Sequence, residues 1–252
     1  MRRQEAVTWF YLSALRRGRV VELLREVSDL ERLITKVSNY AATPRDLLAL
    51  GKSLSEMPRL RKILLGDEDA LQVDWLARHL DDNNEVVKLI ETSITDDPPL
   101  STTDGGVFRS GFSADLDAIR NSARGAQAYI AGLETKERER TGIKSLKVGF
   151  NKVFGYYIEV SKSNLDHVPD EYIRRQTLVG GERYITPEMK EYESQVLSAR
   201  ERIGELEGAL FRQVCNQVGE TASTIMATAR AVAKVDVFCA LGEVADRNAY
   251  VK

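Results

Sequence analysis

The sequence predicts a mainly α-helical protein with one small inserted β module, and three features of its 252 residues point that way. Two long segments, Phe112 to Leu133 and Met189 to Leu210, repeat apolar residues at alternating spacings of four and three. Between them the pattern changes to strict alternation. The residues on either side read as further amphipathic helices.

Val20, Leu24, Val27, Leu30, Ile34 and Val37 recur every three or four residues and place one stripe along a single core-facing helix. A second helix is expected from Thr43, whose hydroxyl can cap the free first-turn amides, with Pro44 at the first helical position, where no amide partner is lost. Leu47, Leu50, Leu54 and Met57 form its buried face. Helical segments follow from Asp67 to His79 and from Asn84 to Thr92. The stretch Thr95 to Gly111, rich in Asp, Pro and Gly, then breaks the helical pattern.

The first seam runs through Phe112, Leu116, Ile119, Ala123, Ala126, Ile130 and Leu133, and the second through Met189, Tyr192, Val196, Ala199, Ile203, Leu206 and Leu210. Thr186, Pro187 and Glu188 signal the start of the second. Each seam covers about 22 residues, or about 32 Å of helix, so an antiparallel pair holds whatever joins its ends well away from the main body. Small residues, Ala123, Ala126 and Ala199, permit close approach of the two backbones.

Between the seams, Tyr156, Ile158 and Val160 take one strand face and Tyr157, Glu159 and Ser161 the other. Ser145 to Gly149 is expected to pair with Gly155 to Lys162 around the loop Phe150 to Phe154. Gln176 to Val179 is expected to pair with Glu182 to Ile185 around Gly180 and Gly181, since glycines accept the positive φ of a tight hairpin. Thr221 to Val251 reads as a last helix with Ile225, Ala229, Val232, Val235, Phe238, Leu241 and Val244 on its buried side.

Composition bounds the function. With 36 Lys plus Arg against 38 Asp plus Glu the net charge is -2, so any nucleic-acid surface is local. No apolar run approaches the roughly 20 residues that span a bilayer, and the start MRRQEAVTWF lacks the features of a signal peptide, so a cytoplasmic location is expected. Cys215 and Cys239, far apart and without CxxC spacing, fit buried free thiols.

Enzymatic signals are thin. Gly51-Lys52-Ser53 matches the end of a phosphate-binding loop, but Asp46 stands where that loop needs its first glycine, inside a helix capped by Thr43. His79 and His167 lack the partners of a metal or nucleophile site. The charges of Glu134 to Arg140 and Ser198 to Glu207 fit solvated helix faces. What remains is the polar surface of the β module, where residues 144–187 carry seven basic residues against five acidic. Asn151 and Lys152 share one hairpin loop, and Arg174, Arg175 and Gln176 lead toward the Gly180-Gly181 tip. Such loop cations and tip amides can reach phosphates and position a duplex without reading bases. Tyr156 and Tyr157, within an alternating strand, read as packing residues and not stacking platforms.

The wording FGYYIEV, YIRRQTL and ERYITPEMKEYE, together with VSDLERLITKVSNYAATPRDLLAL from Val27 and DDPPLSTTDGGVFRSGFSADLDAIR from Asp96, resembles the MutS family of DNA mismatch repair proteins. The resemblance covers most of the chain. It implies a helical lever whose long antiparallel helix pair carries a β-hairpin clamp: residues 1–125 and 188–252 as the lever, 126–187 as the clamp. In relatives the clamp touches the DNA backbone without sequence preference, so the resemblance gives that role by position to Asn151, Lys152, Lys162, Arg174, Arg175, Gln176, Gly180, Gly181 and Arg183. Many members carry Lys-Asn in the second hairpin tip, where this chain has Val179 and Gly180. That departure implies weaker contact there, or contact through the backbone amides of Gly180 and Gly181.

The family's mismatch-reading Phe-x-Glu motif and a complete phosphate-binding loop are both missing from the sequence. The expectation is therefore a fragment that is not an enzyme in isolation, with no cofactor of its own, ATP and Mg belonging to the full-length relative. Implied partners are double-stranded DNA, a second MutS subunit and a MutL-type protein, with no membrane, and the implied setting is nucleoid-associated. The alternative is a helical interaction scaffold of a repair complex without autonomous DNA binding.

Overall fold

Both predicted patterns form in the computed structural model, which describes residues 2–66, 70–151, 153 and 155–250. The helices are α1 (Arg2–Tyr11), α2 (Ala14–Leu24), α3 (Leu30–Ser38), α4 (Pro44–Ser55), α5 (Met57–Leu65), α6 (Asp74–Ala77), α7 (Asn84–Ser93) and α8 (Ala114–Thr141). Four strands follow, β1 (Lys147–Asn151), β2 (Gly155–Ser161), β3 (Ile173–Thr177) and β4 (Gly181–Ile185), then α9 (Pro187–Glu220) and α10 (Ala222–Arg247). The chain divides into two compact units, residues 1–112 with 207–252, and residues 113–206.

In the first unit α10 packs against α1, α2 and α3, and α4 against α3 and α7. Gly242 lets α10 approach α1 closely, since a Cβ there would stand 2.8 Å from the Phe10 Cβ. Arg17, buried, donates to the carbonyls of Phe10 at 2.9 Å and Tyr11 at 2.8 Å and pairs with Asp246. It thereby satisfies the carbonyls that the end of α1 leaves without helical partners.

Four helical expectations need correction. The stripe from Val20 to Val37 is two helices, because Asp29 caps a new one by accepting the Arg32 amide at 2.9 Å, and the Ser28 amide just before it is taken by the Ser53 hydroxyl. Met57 is buried as expected but opens α5, not the end of α4. Of the helix expected from Asp67 to His79, residues 67–69 lie outside the described residues, and the rest is a 3-10 turn at Ala70–Gln72 followed by the short α6. The cap of α4 is as expected and stronger: Thr43 and Asp46 form a reciprocal capping box. On α10, Leu241 and Val244 are exposed and Val232 half-buried. Successive steps of three residues turn a helical stripe by about 60° each, so the predicted stripe precesses off the inner face, which continues through Cys239 and Gly242.

In the second unit α8 and α9 run antiparallel, with Tyr129 stacked on Tyr192 at 3.8 Å between centroids and Lys136 facing Glu188 at 3.6 Å. The sheet is antiparallel throughout, in the order β1-β2-β4-β3. Its inner face joins Leu133 of α8 and Met189 of α9 in one core with Ile143, Leu146, Ile158, Val160, Tyr172 and Tyr184. The first hairpin closes later than expected, with Asn151 opposite Gly155. In the second, β3 starts at Ile173 and ends at Thr177, so Leu178 and Val179 belong to the turn.

Candidate nucleic-acid interface

The tip glycines play different parts from those expected. Neither Gly180 nor Gly181 has a positive φ, so turn conformation does not account for them. Gly180 is exposed with open space around its Cα. Gly181 is buried on β4 against β2, where a side chain would run into the Val160 carbonyl oxygen. Close strand approach is what demands that glycine, and burial withdraws its backbone from any ligand. The turn is closed by the Leu178 amide donating to the Gly181 oxygen at 2.8 Å and the Lys162 amide donating to the Gly180 oxygen at 3.0 Å. Val179 stands at the tip with 96% of its surface exposed.

One row crosses all four strands on the outer face, Lys147, Glu159, Arg183 and Gln176 in register. Arg183 is held inside it: Nε donates to Glu159 at 2.8 Å, Nη1 donates to Gln176 at 3.0 Å, and the guanidinium lies 4.2 Å over the Tyr157 ring. Arg183 and Gln176 are thus mutually satisfied. Tyr156 packs against the core and Phe150, so both tyrosines pack, as the alternation predicts.

The edge strand β3 is exposed along its whole length, and a bulge between Arg174 and Gln176 leaves Arg175 out of register. Arg174 stands 3.3 Å from Glu182. The Tyr184 hydroxyl, and after it Arg174, hold the Glu182 carboxyl below the usual range, while burial first and Glu182 second push the Tyr184 phenol up to about 12. Among the described residues neither Arg175 nor Lys162 has an acidic partner. Asn151 shapes the other hairpin, its Oδ1 accepting the Val153 amide at 2.8 Å, while Lys152 lies outside the described residues. The predicted residues therefore spread along β2, with Arg174 level with Ile158 and with Gln176 and Arg183 level with Glu159 midway, between ends roughly 20 Å apart at the usual rise per strand residue. Asn151 is at one end, and Lys162 and the turn are at the other.

The carboxylates need the larger correction, because several are not solvated. Glu137 is buried, accepting the Tyr172 hydroxyl at 2.7 Å and pairing with Arg140 at 2.7 Å. Glu134 accepts the Val148 amide at 2.9 Å. Glu207, with none of its surface exposed, accepts the Gly106 amide at 2.8 Å and the Val107 amide at 2.9 Å. Glu193, outside both charged runs, is buried and accepts the Tyr156 amide at 3.2 Å. Charge alternation on a helix carries no sign of which member will turn inward.

The Gly51-Lys52-Ser53 tripeptide lies within α4. Gly51 is there because α7 comes close: a Cβ would stand 2.9 Å from Ile90 Cγ2. Ser53 donates to the Ala49 carbonyl at 2.8 Å while holding the Ser28 amide. Both histidines are exposed, and no cluster of metal-ligating residues occurs among the described residues. Cys215 and Cys239 are buried free thiols.

MutS family domain IV matches residues 111–202, which take in α8, the sheet and the first half of α9. The DNA mismatch repair protein MutS of Acetivibrio thermocellus is 47% identical over 248 residues, covering 98% of this chain and 28% of that protein. The MutS of Natronomonas pharaonis is 48% identical over 254 residues, and that of Dehalococcoides mccartyi 42% over 251, each covering 100% of this chain and 29% of the relative. The chain thus spans under a third of the length of the relatives it matches, but the likeness runs along all of it: it belongs to the MutS family.

Proposed function

We propose that this chain serves DNA mismatch repair as the part of a MutS protein that lays a β module on the backbone of duplex DNA. In this reading residues 126–187 are the clamp and the helices on either side are the lever. The observation that carries it is the exposed edge strand with Arg174 and Arg175, accompanied by Lys162 beside the turn. Cations on an edge and a turn can approach phosphates from outside the duplex, whereas reading bases requires an element inside a groove. Arg175 and Lys162 are the principal phosphate ligands. Arg174 contributes less, sharing its charge with Glu182, and Asn151 belongs to a separate contact at the other end of β2. Arg183 and Gln176 support the face, and Gly181 takes no part. The lever couples clamp position to the ATP-binding part of the full-length protein, where a second MutS subunit and a MutL-type partner also act.

Fluorescence anisotropy with matched and singly mismatched duplexes at two salt concentrations tests this. Equal binding to both, with Kd between about 10⁻⁴ and 10⁻⁶ M and strong weakening by salt, is expected. Reversing Arg174 and Arg175 to Glu should weaken binding and lower the slope of log K against log salt by about 2, at roughly 0.9 for each phosphate no longer neutralised. Binding that ignores salt, or the same affinity in the reversed variant, overturns the proposal. The scaffold alternative draws on the exposed Val237, Leu241 and Val244 of α10, and it predicts partner binding that survives the reversal.

A further inference from the structure

We propose that Glu134, Glu137 and Glu193 are positioning residues: three carboxylates on the helix pair that fix the orientation of the sheet, and with it of Asn151, Arg174 and Arg175. The purpose assigned to them rests on the DNA-backbone reading above, while the geometry stands apart from it. The apolar core that Leu133 and Met189 share with the sheet holds the two together but is non-directional, and it tolerates rocking. Hydrogen bonds are directional. A body held at one point swivels, at two it hinges about the line joining them, and at three it is fixed. The helices supply three such points, on three separate segments of the β module.

Glu134 of α8 takes the Val148 amide of β1, the edge strand on that side of the sheet. Arg138 reinforces the same corner, with Nε donating to the Leu146 carbonyl at 2.7 Å and Nη2 pairing with Glu134 at 2.8 Å. Glu137, one turn further along α8, takes the Tyr172 hydroxyl, and Arg140 joins it to Glu171 at 2.5 Å. Tyr172 lies two residues before Arg174, so this bond sets the start of the arginine-bearing strand. Glu193 of α9 takes the Tyr156 amide. The β2–β4 register, with Ile158 opposite Tyr184, puts Tyr156 level with Thr186, where β4 has already ended, so the carboxylate supplies the acceptor that the strand no longer does. Lys190 balances its charge at 2.6 Å. Gly155 is required beside it twice over, by a φ of 84° and because a side chain would run into the Glu193 carboxylate.

The test uses the whole chain with spin labels at Leu197→Cys on α9 and Val179→Cys on the turn, both exposed, while Cys215 and Cys239 are buried. Double electron–electron resonance should show one narrow distance in the parent. Replacing all three glutamates with Ala should widen it about twofold, by freeing a local opening motion. Replacing them with Gln, which keeps a carbonyl acceptor at each point, should leave it near the parent width, a rescue that simple packing loss would not show. A triple alanine variant as narrow as the parent overturns the proposal. If that variant does not fold, Tyr172→Phe combined with Glu193→Ala removes two of the three anchors, and a parent-like width in it overturns the proposal equally. No DNA enters this measurement, so a chain that fails to bind duplex refutes the DNA reading alone.

Discussion

Two adjacent glycines separate roles that sequence assigned jointly. Gly181→Ala puts a methyl against the Val160 carbonyl and should cost about 1–3 kcal/mol as an overpacking substitution, read as a lower urea midpoint. Gly180→Ala, into open space, should leave the midpoint unchanged. Glu207 offers a second contrast, because Glu207→Ala strands two amides, that of Val107 fully buried, and should cost about 3 kcal/mol. Glu207→Gln keeps an acceptor and should cost less. Burial pushes both cysteine thiols up to about 11, with Asp236 and Glu243 adding to the effect at Cys239. Ellman's reagent near neutral pH should therefore leave both untouched in the native protein and titrate both after unfolding.

At the scale of elements, the capping box of α4 makes a pH-dependent contribution whose sign follows from Asp46. Burial pushes its carboxyl upward, but hydrogen bonds from Lys36 and from the Thr43 backbone and hydroxyl outweigh that and hold it below its ordinary value of 3.8. A depressed folded value means that the contribution is complete above the ordinary carboxylate range and is lost as pH falls through the folded value. Asp46→Asn should accordingly destabilise the protein at neutral pH, and the gap from the parent should close in acid, measured by urea unfolding across the series. This cap was readable in Thr43-Pro44 because capping is local. The break before α3 was equally local, in Ser28-Asp29, but the apolar stripe runs through it in phase, and periodicity alone cannot register a helix that stops and restarts. The strands were legible as alternation. Their ends were not, since the register of β3 depends on a bulge and that of β2 on β4, a strand that does not follow it in sequence.

For the whole molecule, the order of helix, hairpins and helix was written in spacing, and the family in the wording of the β module. The division of labour among the candidate residues was not. Lys162, Arg174, Arg175 and Arg183 are alike as sequence, yet Arg183 is held by three partners across the sheet, while Arg175 and Lys162 have no acidic partner among the described residues. Pairings between strands decide this, and they become visible only when β2 lies beside β4.

The bulged edge of β3 bears on more than nucleic acid. A fully exposed terminal strand is a template on which other chains can build, and kinking plus charge are what keep such an edge solitary. Arg174 and Arg175 thus guard this edge against pairing with other chains as well as giving it positive charge. Substituting them with apolar or small neutral residues should produce concentration-dependent aggregation, visible in light scattering, that imitates a loss of affinity. Glutamate keeps the edge charged while repelling phosphate, so the reversed variant should stay dispersed and report on binding alone.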